Sequence, residues 1–84
     1  MYDSHVRFTD YFARNVLPRR PYLRQEWLER AIDSPAWTEV QDDGRARHWV
    51  YIGELMRYLR QVTLADGETN HNAFLDRRAR RPDR

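Results

Sequence analysis

Basic, aromatic and imidazole side chains crowd into three stretches of this 84-residue chain. Arg45, Arg47, His48, Trp49 and Tyr51 lie on the first, and Arg57, Tyr58 and Arg60 on the second. His71 and Asn72 lie on the third, followed closely by Asp76, Arg77 and Arg78. Guanidinium groups grip phosphate, often through two parallel hydrogen bonds, and aromatic rings stack on unpaired bases. Interleaving the two suits single-stranded RNA, whose bases are open to stacking. The same residues also describe ordinary strands, with Trp and Tyr in a core and Arg in solvent. The cluster therefore carries the nucleic-acid expectation, and no single member does.

Other chemistries are poorly supplied. Without cysteine there is no thiolate nucleophile, no thiolate metal ligand and no disulfide. The three His, at positions 5, 48 and 71, lack metal-ligand spacing, although His48 and His71 can meet across strands. Ser4 and Ser34 fall in a terminus and a helix stop, poor places for a nucleophile. Gly44, Gly53 and Gly67 are too scattered for a phosphate-cradling loop. The sequence thus predicts neither a metal nor a cofactor.

The elements that must position the cluster come next. Val6-Arg7-Phe8 reads as a short first strand or an extended lead-in. Thr9 suits a helix N-cap, because its hydroxyl can accept a free first-turn amide. Phe12 and Val16 then mark the inward stripe of a helix over 10–17, which Pro18 ends. Pro21 suits the start of a second helix. Leu23, Trp27, Leu28, Ala31 and Ile32 follow at helical spacing, and Asp33-Ser34-Pro35 stops it.

From Trp37 onward the period changes to two. Strands are expected at 37–41, 46–52, 58–64 and 69–74, with Asp42-Asp43-Gly44 and Asp66-Gly67 as hairpin turns. On the second strand His48, Val50 and Ile52 should face one way, and Arg47, Trp49 and Tyr51 the other. The expected fold is α+β: two N-terminal helices covering one face of an antiparallel four-stranded sheet. The other face is left free.

Charge divides the chain unevenly. All fifteen basic residues are Arg. Residues 77–84 hold five of them against one Asp, whereas residues 1–76 hold ten Arg against twelve acids. The expectation is one domain over 1–76 with a basic tail over 77–84. Such a tail attracts phosphate or simply stays solvated. No apolar run approaches the roughly 18 residues that span a bilayer. Met1 to His5 lacks a signal-peptide pattern. A soluble, cytoplasmic protein is expected.

Several stretches resemble a family of small bacterial domains grouped with the RelE and BrnT toxins. They are Phe8-Thr9 with Arg14, the helix end near Ser34-Pro35, and Asp43-Gly44-Arg45-Ala46-Arg47-His48-Trp49. Tyr58 to Leu64 with Asp66-Gly67, and His71-Asn72-Ala73-Phe74 with Asp76-Arg77, complete the pattern. The likeness spans roughly residues 6–78. It implies a RelE-like fold with RNA bound on the sheet, and metal-independent cleavage of messenger RNA through attack of the ribose 2′-hydroxyl. It further implies His71 or His48 as acid or base, Arg60 and Arg47 on the phosphate, and Tyr51 stacking a base or donating a proton. Arg45, Trp49, Arg57, Arg77 and Arg78 would bind nucleic acid. The partners implied are RNA, ribosome-held messenger included, and a cognate antitoxin or other protein. The chain departs from the family at Tyr11, where a His is common, and at Gln61 and Asn70, where apolar residues are expected. Those departures keep two alternatives open: an inactive relative that engages a protein partner, and a nucleic-acid binder without catalysis.

Overall fold

In the computed structural model, residues 6–82 are described. The start at Met1–His5 and the last two residues of the tail lie outside them. Four antiparallel strands run in the order of the chain: β1 (Trp37–Val40), β2 (Ala46–Ile52), β3 (Arg57–Thr63) and β4 (Asn70–Asp76). The fold is α+β with a four-stranded antiparallel meander, as the alternation of residue types predicts. Gly44 and Gly67 adopt φ of 91° and 73°, so both Gly-bearing turns use the left-handed backbone that glycine tolerates. In the third turn the left-handed position falls on Met56, φ 53°, which is exposed.

The helical part is smaller than expected. One regular helix, α1 (Gln25–Asp33), packs across the sheet. The predicted start at Pro21 is too early: residues 21–22 form a turn and Arg24 is extended, with φ −107° and ψ 140°. Leu23 enters the core from that turn instead of from a helix. The segment expected as a helix over 10–17 becomes a wide π turn over Phe12–Val16, closed by Leu17 N–H donating to the Phe12 carbonyl at 2.9 Å. The widened turn keeps Phe12, Val16 and Leu17 all against the core. The Val6-Arg7-Phe8 lead-in makes a single parallel bridge, from Phe8 to Asn70 on β4.

The core lies between these segments and one sheet face. Phe12, Val16, Leu23, Trp27, Leu28 and Ala31 pack on Val50, Ile52, Leu59 and Ala73. Burying one such side chain contributes about 1.5–3 kcal/mol, so this small set supplies most of the driving force.

Two polar residues sit within it. Gln61 and Asn70 are fully buried, and the Gln61 amide donates both to the Leu28 carbonyl of α1 and to Asn70 Oδ1. Asn70 in turn donates backbone and side-chain N–H to the Arg7 carbonyl, each at 2.9 Å. These polar positions stitch helix, sheet and N-terminal segment together. Among the described residues no helix is long and apolar enough to cross a membrane.

Candidate nucleic-acid interface

Among the described residues no helix or further strand lies across the middle of the face turned away from α1, while Tyr11, Arg20 and the tail border it and Trp49 and Val62 on it are buried. Strand register assigns its rows. Arg47 faces Val62 and Asn72, Trp49 faces Arg60 and Phe74, and Tyr51 faces Tyr58 and Asp76. Glu39 and Trp37 extend the first two rows onto β1. Alternation places Arg47, Trp49 and Tyr51 together on this face, as the sequence predicts.

One departure from regular pairing shapes the site. Val62 pairs with Asn72 but Thr63 pairs with Asn70, so His71 is an extra residue in β4. Such a bulge re-aims a side chain. Asn70 stays in the core while His71 joins the open face. There it lines a groove of ≈ 330 Å³ with Tyr11, Gln41, Arg45, Arg47, Arg60 and Asn72.

His71 is held from two sides. Its Nδ1 lies 3.0 Å from Thr9 Oγ1, and its ring lies 5.0 Å from that of Tyr11. Burial holds the imidazole below its ordinary pKa; Arg45 pushes the same way and Asp43 opposes. A neutral imidazole beside guanidinium groups can accept a proton near neutral pH. Thr9 also caps the first turn as expected, accepting the Phe12 N–H at 3.1 Å.

At the other end lies an aromatic platform. Trp37 stacks on Trp49 with centroids 4.9 Å apart at 15°, and Tyr58 meets Trp37 edge-on at 5.1 Å. Tyr51 is exposed and packs edge-on against Tyr58 at 5.2 Å. Trp37, Trp49 and Arg60 line a second groove with Arg78 and Arg80 of the tail. Arg60 borders both grooves. Its guanidinium lies over Phe74 at 4.5 Å and over Trp49 at 5.9 Å, and its Nε is 3.6 Å from Asp76 Oδ2.

The other arginines also have acidic neighbours. Arg47 donates from Nε to Gln41 at 3.1 Å and lies 3.8 Å from Glu39, while Arg45 lies 3.6 Å from Asp43. These pairs are half exposed, so their attraction is weak and exchangeable.

Four expected site residues lie away from the His71 groove. His48 is buried on the helix-covered face, with Nε2 2.9 Å from Thr63 Oγ1, and burial lowers its pKa. It alternates with Trp49 and so cannot share a face with Arg47. The expectation that His48 joins His71 is therefore corrected. Arg57 follows the parity of Leu59 and Gln61, so it belongs to the helix-covered side, exposed at the sheet's end. Tyr51 is on the open face but four residues along the strand from the His71 row, roughly 13 Å away. It suits stacking and not proton transfer at His71. Arg77 is exposed beyond β4.

Sequence reading gave no chemical role to Tyr11, Gln41 or Arg20. Arg20 donates to Asn72 Oδ1 at 3.3 Å and lies over Phe74 at 5.8 Å. For Tyr11 the one signal was the family resemblance, in which a His is common at its position. Among the described residues no three His, Asp or Glu side chains are grouped as a metal ion needs. Comparison with known protein families, with characterised proteins and with solved structures returns no match.

Proposed function

We propose that the open sheet face binds single-stranded RNA and cleaves it by a metal-independent, toxin-like reaction. The observation that carries this reading is His71, an imidazole lining the same groove as Arg45 and Arg47, on the sheet face that also carries the aromatic platform. Bases stack on Trp37, which the buried Trp49 supports from beneath, and on Tyr51, and the backbone passes Arg60 toward His71. His71 takes the proton of a ribose 2′-hydroxyl, whose oxygen attacks the adjacent phosphorus. Arg47 and Arg45 stabilise the charge that develops on the phosphate oxygens. The bond to the 5′-oxygen breaks, and the Tyr11 phenol supplies that oxygen's proton. The products are a 2′,3′-cyclic phosphate and a 5′-hydroxyl end. The RelE/BrnT resemblance points the same way and adds a cognate antitoxin as the natural cover of this face.

A second reading has its own support. Three guanidinium groups on the face already have a carboxylate within 4 Å: Asp43 for Arg45, Glu39 for Arg47, Asp76 for Arg60. A surface with its charge offset and a row of aromatic rings also suits a protein partner.

Incubation of the purified chain with a long single-stranded RNA in EDTA decides between them. New 5′-hydroxyl ends made by the wild type, and lost in His71→Ala and Arg47→Ala, are the expected result. RNA left intact and unbound at low salt overturns the ribonuclease reading in favour of the protein-partner one.

A further inference from the structure

The His71 side chain is tied to a residue 62 positions earlier in the chain, and that tie bears on which ring nitrogen carries the proton. Thr9 Oγ1 already accepts the Phe12 backbone N–H, a fixed donor, at 3.1 Å. A hydroxyl oxygen has two acceptor positions. The oxygen's other side lies 3.0 Å from His71 Nδ1, which the hydroxyl can meet through its second acceptor position or through its own proton. We infer that Thr9 is the positioning residue of the site: its hydroxyl accepts the Nδ1–H of His71, fixes that tautomer, and leaves Nε2 bare toward the groove. The inference rests on the ribonuclease reading, which needs an imidazole with a free acceptor nitrogen.

The geometry around Thr9 supports a built arrangement. Thr9 N–H donates to the Asn70 carbonyl at 2.9 Å, and Asn70 N–H donates to the Arg7 carbonyl at 2.9 Å. Asn70 is itself held by Gln61, which is anchored on the Leu28 carbonyl of α1. The bulge at His71 begins one residue after Asn70. A single chain of hydrogen bonds therefore runs from α1 through the core to the groove. It holds Thr9 and His71 on adjoining, separately anchored pieces of backbone. The base is oriented by an acceptor on its far nitrogen, the relation a carboxylate serves in other acid–base sites. Here a neutral hydroxyl serves, so no buried charge is required.

Nitrogen–proton correlation spectra of the full chain, labelled with 15N-histidine at pH 7.5, read the tautomer of His71 directly. The expected result is a proton on Nδ1 in the wild type and in Thr9→Ser, which keeps the hydroxyl. Thr9→Val should shift the population to the Nε2–H tautomer and lower the RNA cleavage rate about ten- to a hundred-fold. Wild-type His71 already protonated on Nε2 overturns the inference, and so does an unchanged tautomer in Thr9→Val. Cleavage assays on the same three proteins separate this inference from the reading beneath it. A wild type that cuts RNA with its proton on Nε2 sinks the inference and keeps the ribonuclease. Tautomers as expected with no cleavage by any of the three sink the ribonuclease and keep Thr9 as the residue that sets His71.

Discussion

Asp76 accepts the indole N–H of Trp49 at 3.1 Å from two strands away. The same carboxylate lies 3.6 Å from Arg60 Nε. One acid thus orients the stacking platform and offsets the cation that joins the two grooves. Asp76→Asn keeps an acceptor for Trp49 and removes the charge. We expect RNA to bind more tightly to this variant, with a salt dependence steeper by roughly one phosphate contact. The fold should lose about 1–3 kcal/mol, because the half-buried carboxylate also accepts the Arg78 N–H and Asn has a single acceptor oxygen. Fluorescence anisotropy over a series of salt concentrations measures it. Weaker binding would mean that the carboxylate itself touches the ligand.

The buried Gln61–Asn70 pair makes a different prediction. Asn70→Ala leaves Gln61 with one partner fewer and takes the side-chain donor from the Arg7 carbonyl, which keeps the backbone N–H of residue 70. Exposing buried polar groups to no partner should cost about 1–3 kcal/mol in a urea titration. Replacing both residues by Leu removes donor and acceptor together, so the double variant should cost less than the two single changes added. Simple addition would show that the pair contributes packing alone.

These residues also mark where the sequence was legible. Period-two alternation located all four strands, and Gly44 and Gly67 located two of the turns, because steric rules act locally. Alternation likewise separated His48 from Arg47 correctly. Function was then misread onto His48, since a polar ring on a strand does not reveal that it will be buried with its Nε2 against Thr63 of the neighbouring strand. Gln61 and Asn70 looked out of place for the same reason: their partners lie on α1 and in the N-terminal segment. The bulge that turns His71 outward has no signature in the residues around it. The late start of α1 reflects Leu23 reaching the core from a turn, a tertiary choice that helix propensity cannot register.

Acid should weaken the fold through its histidines. Burial lowers the folded-state pKa of both His48 and His71 below the ordinary 6.5. The unfolded chain then binds these protons more readily than the folded one. Their contribution to stability is complete above pH 6.5 and declines as pH falls through the lowered folded values. His48→Leu should flatten the slope of the urea midpoint between pH 7.5 and 5.5 and leave RNA cleavage in place. An unchanged slope would assign the effect to His71 alone.

The β3–β4 turn adds a lower window. Asp66 accepts from the backbone N–H of Glu68 and Thr69 and from the Thr69 hydroxyl, which hold its carboxyl down at about 2. With a folded pKa below the unfolded 3.8, its contribution is present above that value and lost as pH falls toward 2. Asp66→Ala should cost about 1 kcal/mol at pH 7 and remove this part of the acid sensitivity. The carboxyl titration followed by NMR gives the direct check, and an Asp66 titrating near 4 would contradict it.

The tail provides the last test of the interface. Arg78 and Arg80 border the groove under Trp37 and Trp49, and Arg78 N–H is held to Asp76 Oδ1 at 3.0 Å. The tail therefore leaves the sheet beside the stacking platform, five Arg in its last eight residues. Each cation that neutralises a phosphate of a single strand adds about 0.7 to the slope of log affinity against log salt. Ending the chain after Asp76 should weaken RNA binding at low salt and reduce that slope by about 1.4 if Arg78 and Arg80 alone reach phosphate. A reduction of about 3.5 would bring in all five. An unchanged slope would place the RNA entirely on the sheet and leave the tail in solvent. Because the His71 groove lies at the other end, the truncated chain should cut at an unchanged rate once RNA saturates it. A fall in that saturated rate would show the tail acting on the reaction itself.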